Sequence, residues 1–180
     1  MSGRMLGVAL AVLVLVLAAG TAAAQPANSP AKPDDAQIAH IAYTAGEIDI
    51  KAAKQALEKS RNPQVREFAQ DMVRDHTAVN DKALALVKKL GVTPQDNDTS
   101  RALVKQADEE YGKIAKLSGP AFDRAYAQNE VAYHQQVSKA LENTLIPSAS
   151  NPELKSLLET GLKIFQGHEQ HAEQVAAGLK

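Results

Sequence analysis

The chain has 180 residues with 20 basic and 21 acidic side chains, a formal net charge of −1, no cysteine, no tryptophan and 4% aromatic residues. So balanced a charge gives no field to attract nucleic acid or anionic lipid, and so few aromatic faces leave little for stacking on bases or sugars. Without cysteine there is no disulfide, no thiolate chemistry and no covalently attached c-type haem.

Arg4 precedes an apolar run from Met5 to Ala19, and small residues end at Ala22-Ala23-Ala24 before Gln25-Pro26. This pattern predicts a secretory signal over residues 1–24, cleaved after about Ala24. The run of about 15 residues falls short of the ~20 that span a bilayer. No cysteine stands at the cleavage point to carry a lipid, so the expectation is a periplasmic protein with no transmembrane anchor after cleavage. Residues 25–35, rich in Pro, Ala, Asn and Ser, predict a disordered lead. Residues 36–180 have the size of one domain.

From Ala36 to Ser60, Ile38, Ile41, Ala45, Ile48, Ala52 and Ala56 recur at the three-four spacing of a helix face, with Asp34 or Asp35 as the N-cap. A second helix starts at Pro63, where a missing amide costs nothing, and carries Val65, Phe68, Met72, Val79, Ala83 and Val87 to a stop at Gly91. The joint between them is so short that the pair must be antiparallel. Thr99 or Ser100 is the expected cap of a third, less apolar helix, stopped at Ser118-Gly119-Pro120. A fourth runs from Ala121 to about Leu145, and Asn151-Pro152 opens a fifth with Leu154, Leu158, Phe165 and Val175. The two Asn-Pro steps, each between two long helices, suggest a duplicated hairpin. The third helix, about 27 Å long at 1.5 Å per residue, could cross most of the bundle and leave its middle helices parallel. The predicted class is all-α: a ferritin-like four-helix bundle of two hairpins with an additional helix in the crossover.

Counting along the hairpins puts Glu47 and His76 each about 20 Å from the first hinge, and His134 and His168 about 16 and 24 Å from the opposite turn. Helices near 40 Å long bring all four to mid-height. His76 continues the stripe through Met72, His134 that through Glu130 and Val137, and His168 that through Phe165 and Ala172. The expected polar layer is therefore Glu47, His76, Glu130, His134 and His168, with His171 and Asp75 as lesser candidates. Neutral imidazole and carboxylate are suitable ligands for a divalent zinc, copper or iron ion. The same histidines could equally hydrogen-bond one another, a carboxylate or a tyrosine such as Tyr43, Tyr126 or Tyr133 and fix register without a ligand. No phosphate loop, Ser-His-Asp set or zinc-protease motif is present, and the Glu-x-x-His pair of a di-iron centre is missing, because Val73 and Phe165 stand three residues before His76 and His168. No residue is assigned a catalytic role.

The strings Ala45-Gly46-Glu47-Ile48, Asn62-Pro63-x-Val65-Arg66-x-Phe68-Ala69-x-x-Met72-Val73-x-Asp75-His76 and Phe122-Asp123-Arg124-Ala125-Tyr126, with the His134 segment and His168-x-x-x-Ala172, resemble an exported bacterial family. It is the ferritin-like family catalogued as domain of unknown function 4142. The likeness covers roughly residues 36 to 178. It implies a ferritin-like bundle in the periplasm or cell envelope, often described as a predicted outer membrane protein, and no known activity. The family's recurring residues correspond to Glu47, Asp75, His76, His134 and His168. Three functions are consistent with the sequence: a metal-binding envelope protein for metal handling or stress protection, a structural or partner-binding envelope module, and a ferritin-like oxidoreductase.

Overall fold

The computed structural model describes residues 32–179. The signal expected over 1–24 and the greater part of the lead lie outside the described residues. The helical domain opens one residue earlier than the sequence implied, because Asp34 forms a capping box: its carboxylate accepts the Gln37 amide at 2.9 Å and Gln37 Oε1 accepts the Asp34 amide at 3.2 Å.

Five long helices and no strand are found among the described residues: α1 (Asp35–Lys59), α2 (Pro63–Leu90), α3 (Asp98–Ile114), α4 (Gly119–Ala140) and α5 (Pro152–Gly178). Both Asn-Pro steps start helices as the sequence predicted. Asn62 accepts the Gln64 and Val65 amides at 2.9 and 3.3 Å, and Asn151 those of Glu153 and Leu154 at 2.9 and 3.1 Å. Three further boundaries differ from expectation. The cap of α3 is Asn97, not Thr99 or Ser100; Ser100 is its reciprocal partner, its amide 3.0 Å from Asn97 Oδ1. Helix α4 begins at Gly119, whose φ of 53° suits the one residue without a Cβ, and Pro120 sits in the first turn where its missing N–H costs nothing. Its α-helical hydrogen bonding ends at Ala140, and a π-helical turn, Leu141–Leu145, leads into one further helical turn, Ile146–Ser148.

The apolar stripes meet as one core in which Phe68, Met72, Phe122, Tyr126 and Ile38 are fully buried. Helix α1 packs chiefly on α2, α4 on α5 and α2 on α5, while α3 lies on α1. The path of α3 follows from its ends. The loop before it bonds to the start of α1, with Gln95 N–H on Ala36 O at 3.0 Å. Past its far end, Lys59 at the close of α1 lies 5.5 Å over the Phe122 ring near the start of α4. The second turn returns to the first end, where the Asp35 carboxylate accepts the Ser150 and Asn151 amides at 2.8 and 2.9 Å. So α3 runs the length of the bundle alongside α1, and α4 runs parallel to α2. Among the described residues no helix is long and apolar enough to cross a membrane.

Candidate metal centre

Small side chains at Ala45, Ala52 and Ala53 bring α1 close to its neighbours, and Asp49 projects from that stripe with 0% exposure. From α2 comes His76, from α4 Glu130 and His134, and from α5 His168, all buried. Phe165 walls the group, its ring centroid 4.8 Å from that of His76 and 5.2 Å from that of His134. The polar atoms therefore meet in a space largely closed to bulk water, where charge interactions are strong.

Asp49 Oδ2 lies 2.8 Å from His76 Nε2 and 3.1 Å from His134 Nε2. These are close approaches without hydrogen-bond alignment: both Asp49 oxygens and His134 Nε2 have no hydrogen-bond partner. His134 is oriented from its other nitrogen, Nδ1, which lies 2.8 Å from the Glu130 backbone carbonyl oxygen. With the proton on Nδ1, donated to that carbonyl, the Nε2 lone pair faces the shared space. His168 Nδ1 is 3.2 Å from His76 Nε2, and His168 Nε2 is 3.1 Å from Asp75 Oδ2. Asp75 is fixed in turn by Arg74, which donates to it at 2.8 and 3.0 Å and to Asp71 at 2.6 Å.

Charge is divided unevenly. Burial alone would raise the Asp49 carboxyl, but His134 and His76 outweigh it and hold Asp49 well below the usual carboxylate range. Glu130 goes the other way, pushed well above its ordinary value by burial and then by the negative charge of Asp49. The two carboxyls are thus driven apart, the charged form being favoured at Asp49 and the protonated form at Glu130. Burial depresses His134, but Asp49 more than compensates and raises it. Burial and the neighbouring His76 lower His168 to about 4.

Of the residues selected from the sequence, His76, Glu130, His134 and His168 come together. Asp75 touches the group from outside, through His168. His171 stands apart, its Nδ1 3.9 Å from Asp71 Oδ2 and its ring edge-on to Phe68. Glu47 lies outside the layer: it is exposed and bound to Asn80 Nδ2 at 2.8 Å. The acid that α1 supplies is Asp49, ~3 Å further along and ~200° around the helix. Its signal was available, because Asp49 follows Ala45 by four residues and precedes Ala52 by three, the spacing of the buried stripe. Two triads each offer atoms within 4.8 Å of one another, His76/His134/His168 and Asp49/Glu130/His134, and either could hold a metal ion.

A family model described as "Domain of unknown function (DUF4142)" matches residues 20–175. No curated protein and no solved structure matches the chain.

Proposed function

We propose, since the chain belongs to the domain of unknown function 4142 family, that it is an exported ferritin-like bundle which holds a divalent transition metal for metal handling or stress protection in the cell envelope. The observation that carries this reading is the convergence of the His76, His134 and His168 ring nitrogens, all within 4.8 Å of one another, with an Asp49 oxygen beside those of His76 and His134. Ligands bound tetrahedrally at 2.0–2.1 Å stand about 3.3–3.4 Å from one another. The separations of 2.8, 3.1 and 3.2 Å lie within a few tenths of an ångström of that spacing. Imidazole with one carboxylate suits zinc, copper or iron. The ferritin-like assignment is supported by the long crossover α3, which leaves α4 parallel to α2. Export is supported by the Arg4, Met5-to-Ala19 and Ala22-Ala23-Ala24 pattern.

Elemental analysis of the chain purified without an affinity tag tests the metal, with His76→Ala and His168→Ala as controls. Stoichiometric zinc, copper or iron lost from both variants supports the reading; no retained metal and no thermal shift on adding those ions overturns it. A mature N-terminus at Gln25 in the periplasmic fraction would support export, and an intact Met1 in the cytoplasm would refute it.

A second reading is favoured by one feature. His168 is bonded on both sides, to His76 and to Asp75, and so ties α5 to α2 without an ion. On that reading the layer is a scaffold for a partner-binding envelope module. A chelator would then leave unfolding unchanged, while His76→Ala would still cost more than about 2 kcal/mol through unpaired buried groups.

A further inference from the structure

The nitrogen-rich set leaves a neighbouring group of oxygens unexplained. Glu130 is 0% exposed and neither of its carboxyl oxygens has a hydrogen-bond partner, nor does Asp49 Oδ1. The hydroxyls of Tyr126 from α4 and Tyr111 from α3, at 1% and 6% exposure, are buried without partners as well. The groups that act on the two carboxyls are the imidazoles of His76 and His134, the Asn129 amide and each other; no lysine or arginine is among them. Buried polar oxygens are almost always paired, and leaving several unpaired in one place is costly. Such a group of unpaired oxygens suits a cation.

We propose that Asp49 and Glu130 form a second, oxygen-lined cation position beside the imidazole-lined one, bridged by the two oxygens of Asp49 and completed by the phenols of Tyr111 and Tyr126 as neutral donors. It deepens the metal-binding reading and rests on it. His134 has one nitrogen free for a metal, so the two triads cannot both use it. An ion on the three imidazoles leaves the second position with oxygen donors alone. Oxygen ligands select a harder divalent ion than imidazole does, manganese rather than zinc. Two surface grooves on either side of α3, one shared with α1 and one with α4, both reach Tyr111, and Asn129 and Tyr133 line the latter.

Metal-free full-length chain is loaded with one equivalent of zinc, titrated with manganese, and followed by native mass spectrometry and manganese electron paramagnetic resonance. The expected wild-type species holds one zinc and one manganese. Glu130→Gln should keep zinc and bind manganese at least about tenfold more weakly. Tyr126→Phe should keep zinc and weaken manganese several-fold, which decides the matter if Glu130→Gln does not fold. His168→Ala should lose zinc. A single ion per chain with both metals in excess would overturn the second position while leaving the first. So would manganese binding indifferent to both Glu130→Gln and Tyr126→Phe. Absence of zinc at the first step would overturn the metal reading itself, before manganese is added.

Discussion

Two nearly isosteric changes within one carboxylate pair should have very unequal consequences for the metal-free protein. Asp49→Asn removes the buried anion that lies 2.8 Å from His76 Nε2 and 3.1 Å from His134 Nε2. At an effective dielectric of about 20, a unit charge pair at such a distance attracts by roughly 5 kcal/mol before desolvation is charged against it. Removing one member of a buried pair typically costs about 3–5 kcal/mol, because the other is left uncompensated. Loss of the Asp49 charge also relieves Glu130, which returns part of that cost, so the net expectation is a loss of about 3 kcal/mol. Glu130→Gln should cost less than about 1 kcal/mol, since burial and the Asp49 charge already favour the neutral carboxyl, and the amide that replaces it is neutral and nearly the same shape. Urea unfolding at pH 6 with chelator, followed by circular dichroism, measures both. His134 is raised above its ordinary value and is protonated there. With slopes of about 1–3 kcal/mol per molar urea, Asp49→Asn should lower the midpoint by about 1–3 M. Equal losses from both variants, or a midpoint for Asp49→Asn matching wild type, would refute the assignment of charge to Asp49 and proton to Glu130.

The remaining expectations concern neighbouring positions. His168 is lowered to about 4 in the folded chain, so its contribution is fully present above the unfolded value near 6.5 and is lost as pH falls toward 4. Metal-free stability should drop by up to about 3 kcal/mol across that window, and His168→Asn should flatten the drop; an unchanged profile in the variant would exclude His168 as its source. His134, shifted upward, acts in the opposite sense: its contribution is complete below pH 6.5 and is lost as pH rises through its folded value. Asp75→Asn should weaken zinc binding by about 10–100-fold without removing a ligand, because Asp75 fixes the orientation of His168; calorimetric affinities indistinguishable from wild type would end that idea. At Gly46 an added Cβ would run into Asn80 Oδ1, and Asn80 is held by the Tyr43 carbonyl and Glu47. Gly46→Ala should therefore destabilise by about 1–3 kcal/mol despite its better helix propensity, and pairing it with Asn80→Ala should restore most of the loss attributable to the clash.

The parts legible in the chain were those set by local chemistry. Asn62-Pro63 and Asn151-Pro152 could be placed because capping and the missing proline amide act within three residues. Ile38, Phe68, Met72, Leu154 and Phe165 fall in the core because a helix repeats its face every three or four positions. His76, Glu130, His134 and His168 lay on those same stripes, which is why the sequence brought them together. Asn97 was missed as the α3 cap because Thr99 and Ser100 are equally good caps in isolation, and only the reciprocal bond with Ser100 selects Asn97.

The sequence by itself determined that this protein is helical, that its hairpins are antiparallel and that imidazoles stand near mid-height, since each of these follows from period and chain length. Which groups each acid of α1 meets was decided by tertiary structure. Glu47 and Asp49 both border apolar residues on α1, but each step along a helix turns a side chain by about 100°. The spacing from Ala45 and Ala52 already put Asp49 on the buried stripe, but only the approach of α2 and α4 to that face shows that it meets His76 and His134 while Glu47 meets Asn80. The division of labour between Asp49 as anion and Glu130 as proton carrier also depends on packing, because two carboxyls forced together in a dry interior cannot both stay charged.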